Sequence, residues 1–502
     1  MNIQEAKEEI KRTVKAYTAR TEEGAFRIPV KRQRPVLLIG PPGIGKTAIM
    51  EQIARECGLG LVAYTMTHHT RQSAIGLPVL EKREFQGEAY TVTAYTMSEI
   101  IASVYEQMEE SGLREGILFL DEMNCVSETL MPAMLQFLQY KTFGSHRLPE
   151  GWVIVAAGNP FVYNRSVREF DTVTLDRVKR MEVEPDLGVW KRYALRQGLH
   201  PAVLSFLELR PECFYVMEAG GKGFVTGRGW EDLSEMLLTL EELQLAVEEV
   251  LFEQYLQEKE TARAFAFYYR LYEKWSHKLR PEYILEGEGA IPSESFRGLP
   301  GLPFDERLCI VWLLLQRLSH MGEALEEQER LAKSLRYFTD GLSQGEELGG
   351  EALMSACTEG LDRRKKGLEV QKDWGLLAPG EEKRERKLVK AVEECMERAR
   401  LGQGIEAFES RIGAEEAGAT EQRRKLVKAL GNVTDFTRKT FGERQELVIL
   451  LTGLLEHPGT SRVMEEELSE EYGKAMAFLN TDSREEALRR QLLEKEMLLF
   501  TP

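Results

Sequence analysis

The run Gly40-Pro41-Pro42-Gly43-Ile44-Gly45-Lys46-Thr47 constrains this chain more than any other part of it. Four apolar residues, Val36-Leu37-Leu38-Ile39, precede it, and a helical pattern over 48–57 follows. The pattern G-x-x-x-x-G-K-[ST], set between a buried strand and a helix, makes a loop whose successive N–H groups point inward as an anion nest. The helix N-terminus adds the positive end of its dipole. In that setting Lys46 reaches the β- and γ-phosphates of a nucleotide and the Thr47 hydroxyl ligates magnesium. The predicted ligands are ATP and Mg2+. The predicted binding residues are Gly40, Pro41, Pro42, Gly43, Ile44, Gly45, Lys46, Thr47 and Ala48. The competing reading is a Gly-Pro turn that binds nothing. Lys46 argues against it, because a helix-opening lysine after Gly-x-Gly gains nothing structural.

The residues around the loop repeat the same rhythm. Short apolar runs at 61–64, 117–120 and 153–157 alternate with helical patterns at 98–110 and 129–139. Strand and helix in alternation predict an α/β fold with a parallel sheet covered on both faces. One stretch interrupts it. Residues 78–95 alternate apolar and polar about Gln86-Gly87, which predicts an inserted hairpin. From about Pro185 onward the pattern is helical. A chain of 502 residues exceeds what one core organises, so several units are expected. They are an N-terminal helix and linker at 1–34, an α/β core at 35–185, a helical lid at 186–240 and a mainly α-helical region at 241–502. Within the last, 252–275 reads as one long aromatic-rich helix and the Gly- and Pro-rich 281–304 as a loop. Breaks are expected near 341–350, 375–382 and 457–460.

The apolar run at 117–120 ends in Asp121-Glu122. A parallel strand delivers its last residues to the sheet edge where α/β ligand sites lie. Asp121 there can hold magnesium together with Thr47, and Glu122 can orient and deprotonate an attacking water. The alternative is an ordinary acidic turn. Asn159 follows the run at 153–157 in Gly158-Asn159-Pro160, which also reads as an Asn-Pro turn. His68-His69 suggest a metal only superficially, since adjacent side chains diverge and no further ligands stand at useful spacing.

Five segments then occur in a distinctive order: Gly40–Thr47, Leu118–Glu122, Gly158-Asn159-Pro160, Leu175-Asp176-Arg177 and Gly227-Arg228. With the hairpin before the acidic strand, they resemble AAA+ ATPases of the MoxR-like group over roughly residues 30–240. The resemblance implies a P-loop AAA+ core with an α-helical lid. Asn159 is then the sensor 1 residue beside the γ-phosphate or lytic water. Arg177 is the arginine placed at the subunit boundary to act on a neighbour's ATP, although Val178 stands where the family usually has Phe. Arg165 and Arg168 are the other candidates for that arginine. Arg228 resembles sensor 2, the lid arginine acting in cis, with Gly227 in place of the common Pro; a surface arginine at a helix start is the plainer alternative. Glu122, Asn159, Arg177 and Arg228 are thus the expected catalytic set, with Thr67 as a polar switch facing Glu122. The hairpin faces a pore or a client in such ATPases, or is mere decoration.

The expected protein is therefore a ring-forming homo-oligomer, hexameric by the resemblance, that turns ATP hydrolysis into remodelling of a protein client. The rivals are a nucleic-acid motor on the same core and an ATP-gated scaffold with little turnover. A net charge of −16 weighs against nucleic acid, which is gripped mainly through clustered Lys and Arg. Six scattered cysteines without C-x-x-C spacing give no disulfide framework. No run of some twenty apolar residues predicts a membrane span, and the charged N-terminal helix lacks a signal-peptide core. A reducing, cytoplasmic setting is the expectation. The charge runs at 381–387 and 465–467 read as solvated faces, and no catalytic constellation stands out beyond 305.

Overall fold

The computed structural model describes residues 1–68, 74–163, 170–217, 223–287, 298–342, 350–373, 380–400 and 404–478. Five strands form a parallel sheet: β1 (Val36–Ile39), β2 (Gly60–Thr65), β5 (Gly116–Asp121), β8 (Trp152–Gly158) and β9 (Lys179–Glu182), in the order β2-β5-β8-β1-β9. Side chains on adjacent residues point to opposite faces, so both faces of this sheet are apolar. Leu37, Leu118, Leu120, Ile154 and Ala156 face α3 (Glu99–Ser111) and α4 (Met131–Tyr140). Val36, Leu38, Ile117, Phe119, Val153 and Val155 face α1 (Ile3–Thr18) and α2 (Lys46–Cys57). The continuous Val-Ile-Leu runs are what a sheet buried on both sides requires.

The leading helix is part of this sandwich. Asn2 and Glu5 close its first turn as a capping box, and Ala6, Ile10 and Val14 pack against Ile49, Met50 and Ile53. Lys179 of β9 donates to Glu9 at 2.5 Å and to Thr13 at 2.8 Å, tying the helix to the sheet edge.

The expected hairpin is present as β3 (Pro78–Phe85) and β4 (Glu88–Tyr95). Gln86 and Gly87 turn it with φ of +56° and +87°, the left-handed pair that matches strand twist. All of β3 is exposed. A second, very short hairpin, β6 (Thr142–Phe143) with β7 (His146–Arg147), was not evident in the sequence; two-residue strands leave no periodicity to read.

Beyond Pro185 the described helices pack around two apolar clusters, the smaller of them holding Leu335, Cys357, Val392 and Phe408. α6 (Leu187–Arg196), α7 (Pro201–Leu209) and α8 (Gly227–Glu242) share an apolar cluster with α10 (Lys259–Leu279), α12 (Phe304–Leu342), α15 (Glu406–Phe441) and α16 (Gln445–Glu456). Its centre is aromatic: Phe265 meets Phe206, Trp230 and Phe252 edge-on, with ring centroids 5.1–5.3 Å apart. The region read as a single helix over 252–275 is two, α9 (Glu249–Tyr255) and α10. Glu258 starts the second, its carboxylate accepting the N–H groups of Glu260 and Thr261 at 2.7 Å each. No Gly or Pro marks this break, so it escaped the sequence reading. The 281–304 stretch, read as a loop, contains the short helix α11 (Pro281–Glu286). Elsewhere α14 (Glu381–Arg398) starts after the left-handed Gly380 and α16 gives way to α17 (Pro458–Glu467) at His457, as expected, while most of the break expected at 341–350, between α12 and α13 (Gly350–Asp373), lies outside the described residues.

Candidate functional site

Strand order builds the site. β8 lies between β5 and β1, so the segments leaving the carboxyl ends of three adjacent strands stand side by side. These are the acidic pair after β5, Asn159 after β8 and the glycine loop after β1. This is the crevice where open α/β sheets bind ligands.

Helix α2 begins at Lys46, two residues before the start expected from apolar periodicity. Gly45 caps it in the left-handed region, with φ of +91°, a conformation glycine adopts without steric cost. Lys46 and Thr47 therefore lie in the first turn, over the helix N-terminus. Lys46 Nζ donates to the carbonyl oxygens of Gly40 and Pro41 at 2.8 Å and to Asn159 Oδ1 at 2.9 Å. Burial pushes its ammonium down to about 8 from the ordinary 10.5, assisted by the charge of Arg228 and opposed by Asp121 and Glu122. Thr47 Oγ1 donates to Asp121 Oδ2 at 3.0 Å.

Glu122 has φ of +54°, a left-handed conformation that costs a non-glycine residue about 1 kcal/mol or more. Its backbone N–H is held by Asp121 Oδ1 at 2.8 Å, and its Oε2 accepts from Thr67 Oγ1 at 2.9 Å. Thr67 thus stands where it was expected. Asn124, which sequence reasoning passed over, is buried behind Asn159 and bonded to its backbone on both sides. Nothing local distinguishes it from any other polar turn residue.

The lid side closes the cleft. Tyr215 Oη donates to the Pro42 carbonyl at 3.0 Å. A Cβ on Gly43 would lie 2.8 Å from both Cβ and Oγ1 of Thr226, and Gly43 itself has φ of +72°. Glycine is thus required there by conformation and by space. Thr226 in turn caps α8 through Gly229 N–H at 3.2 Å, so the start of the lid helix sits on the glycine loop. Arg228, in the first turn of α8, lines the cleft together with Trp190, Lys46, Asp121, Glu122 and Asn159. The whole cleft measures about 1730 Å³.

Arg177 stands apart. It is exposed and lies outside the residues that line this cleft, in the turn after α5 (Thr172–Leu175), where its charge helps hold the Asp171 carboxyl low behind the Thr174 hydrogen bonds. Arg165, Arg168 and His69 lie outside the described residues. Among the described residues no group of three His, Cys, Asp or Glu side chains could hold a metal by themselves. No described helix is long and apolar enough to cross a membrane.

Comparison with known proteins agrees with this geometry. Residues 36–180 match the family described as "ATPase family associated with various cellular activities (AAA)". A Lon protease from Endomicrobium trichonymphae is 26% identical over 193 residues, covering 37% of this chain and 22% of the protease, so the chain spans about a fifth of that relative's length. Among solved structures, NtrX from Brucella abortus in complex with ADP is similar at 14% identity and a TM-score of 0.28, over 47% of this chain and 49% of that one. The segment that begins with β1 and ends in β9 is an ATPase domain of the AAA family.

Proposed function

We propose that the chain is a MoxR-like AAA+ ATPase that binds ATP with Mg2+, hydrolyses it within a ring of its own copies, and uses the cycle to remodel a protein client. The observation that carries this reading is the convergence at four strand ends: Lys46 on Asn159, Thr47 on Asp121 and Thr67 on Glu122. The Thr47 hydroxyl and Asp121 carboxylate are hard oxygen donors only 3.0 Å apart, which fits magnesium. A Mg2+ ion held there by Thr47 and Asp121 would supply positive charge against the charge that develops on the phosphate oxygens.

In this reading residues 40–48 wrap the polyphosphate, and Lys46 exchanges its three acceptors for phosphate oxygens. Glu122 takes the proton of the attacking water, and Thr67 holds its carboxylate until the water is in place. Asn159 directs its side chain at the γ-phosphate, and Arg228 closes from the lid over 186–240. Arg177, exposed and outside its own cleft, serves the ATP of a neighbouring copy, which makes hydrolysis depend on the ring; a hexamer follows from the resemblance. The exposed hairpin, with Leu80, Phe85 and Tyr90 each more than half exposed, offers the client an apolar edge. That the curated relative is a protease supports a protein client.

Glu122→Gln tests the reading. The variant is expected to bind ATP normally, to release no phosphate and to accumulate as a ring in light scattering with ATP and Mg2+. Undiminished phosphate release would remove Glu122 from its role. A monomer under those conditions would remove the ring.

A further inference from the structure

Asn159 stands one residue past the end of its strand. The last ladder bond there is from Gly40 N–H to the Gly158 carbonyl, at 3.2 Å. Beyond it, the backbone N–H and C=O of Asn159 have no strand to pair with, and buried backbone groups need partners. Asn124 supplies both. Its Nδ2 donates to the Asn159 carbonyl at 2.7 Å, and its Oδ1 accepts the Asn159 N–H at 3.3 Å. One side-chain amide thus replaces a stretch of β-ladder. Asn124 is 3% exposed, and the clamp leaves no slack: a Cβ on Gly158 would lie 2.5 Å from Asn124 Oδ1. Because the backbone is held on both sides, the Asn159 side chain is free to point the other way, where its Oδ1 meets Lys46. The clamp also starts from the short turn, Met123–Cys125, that follows Glu122 directly. It therefore ties the turn that carries Glu122 to Asn159.

We infer that Asn124 is a positioning residue for hydrolysis, acting through Asn159 and setting the spacing between that residue and Glu122. The inference rests on the ATPase reading of the site. Asn124 lies behind Asn159 and does not line the cleft, so its loss acts on the rate and not on binding.

The test is steady-state phosphate release and ATP affinity for Asn124→Ala, Asn159→Ala, the double variant and Asn124→Asp. Asn124→Ala is expected to lower kcat by about tenfold to a hundredfold, the usual effect of losing a group that orients a reacting one. The Kd for ATP should stay within about threefold. The double variant should be no slower than Asn159→Ala alone, because residues acting as a unit are not additive. Asn124→Asp keeps the acceptor for Asn159 N–H but sets a carboxylate oxygen against the Asn159 carbonyl in place of the donor, so its rate should fall at least as far as that of Asn124→Ala; it also carries the comparison if Asn124→Ala does not fold. Losses that multiply in the double variant, or full turnover in Asn124→Ala while Asn159→Ala is impaired, would overturn the clamp and leave the ATPase reading standing. Full turnover in Asn159→Ala would overturn the role of Asn159 and the clamp with it.

Discussion

Lys46 gives the most direct quantitative prediction. In the free protein burial holds its ammonium at about 8. A bound triphosphate puts several negative charges against it and raises that value. Binding ATP therefore takes up a proton wherever the free lysine has lost one. The sign follows: affinity is at its full value below pH 8 and is lost as pH rises through 8. Between pH 7 and pH 9 the dissociation constant should rise about tenfold, the weight of one pKa unit, or about 1.4 kcal/mol. At pH 8 each ATP bound should carry about half a proton with it. Titration calorimetry with a nonhydrolysable analogue and Mg2+, run in two buffers of different ionisation enthalpy, measures both quantities. Lys46→Arg keeps its charge across the window, so its affinity should be weaker but independent of pH. Lys141, also pushed to about 8 by burial, bonds Gln33 Oε1 and the Trp152 carbonyl away from the cleft, and its titration should leave ATP affinity alone. A wild-type dissociation constant that stays level from pH 7 to 9, or binding heats that do not depend on buffer, would refute the lowered pKa of the Lys46 ammonium, and undiminished affinity in Lys46→Ala would refute its assignment to the phosphates.

Arg177→Ala should bind ATP nearly as wild type yet lose hydrolysis by about a thousandfold, the lower range for an arginine acting from a neighbouring subunit. Mixed with Lys46→Ala it should recover part of the activity, because intact pairs form at some boundaries; mixed rings without recovery would move the role to Arg165 or Arg168. Gly43→Ala should weaken ATP binding and lower the thermal midpoint, since the new methyl group meets Thr226 at 2.8 Å with φ of +72°; unchanged affinity and midpoint would show that the lid does not rest on the loop. Trp230→Ala, at a fully buried site among Phe206 and Phe265, should cost about 3–5 kcal/mol in denaturant unfolding of the helical body, and a loss below about 1 kcal/mol would contradict the packing described.

The parts legible in sequence were those encoded over a few consecutive residues. The glycine loop declared itself because its chemistry needs a fixed spacing. Four of the five sheet strands declared themselves through apolar runs, while the edge strand β9, Lys179-Arg180-Met181-Glu182, carries none and was missed; the long hairpin declared itself through eight-residue alternation about Gln86-Gly87. The helical boundaries at Gly380 and His457 followed from Gly and Pro. Where such marks are missing, the reading failed. Glu258 divides the aromatic helix by accepting two backbone N–H groups, a job that a glutamate does not advertise.

By itself, then, the sequence determined a strand–loop–helix that binds a polyphosphate, an acidic pair on a buried strand, and a long helical continuation. The tertiary structure alone decided how these meet. Placing β8 between β5 and β1 puts Asn159 between the acids and the loop, although β1 and β8 are more than a hundred residues apart. The same fold sets Asn124 behind Asn159, Thr67 against Glu122 and Thr226 on Gly43. It also buries the lid helices together with α10, α12, α15 and α16 in one apolar cluster. Local periodicity records only which face of an element is apolar. Which other element covers that face is decided by chain connectivity and by the pairing of buried surfaces and polar groups distant in sequence.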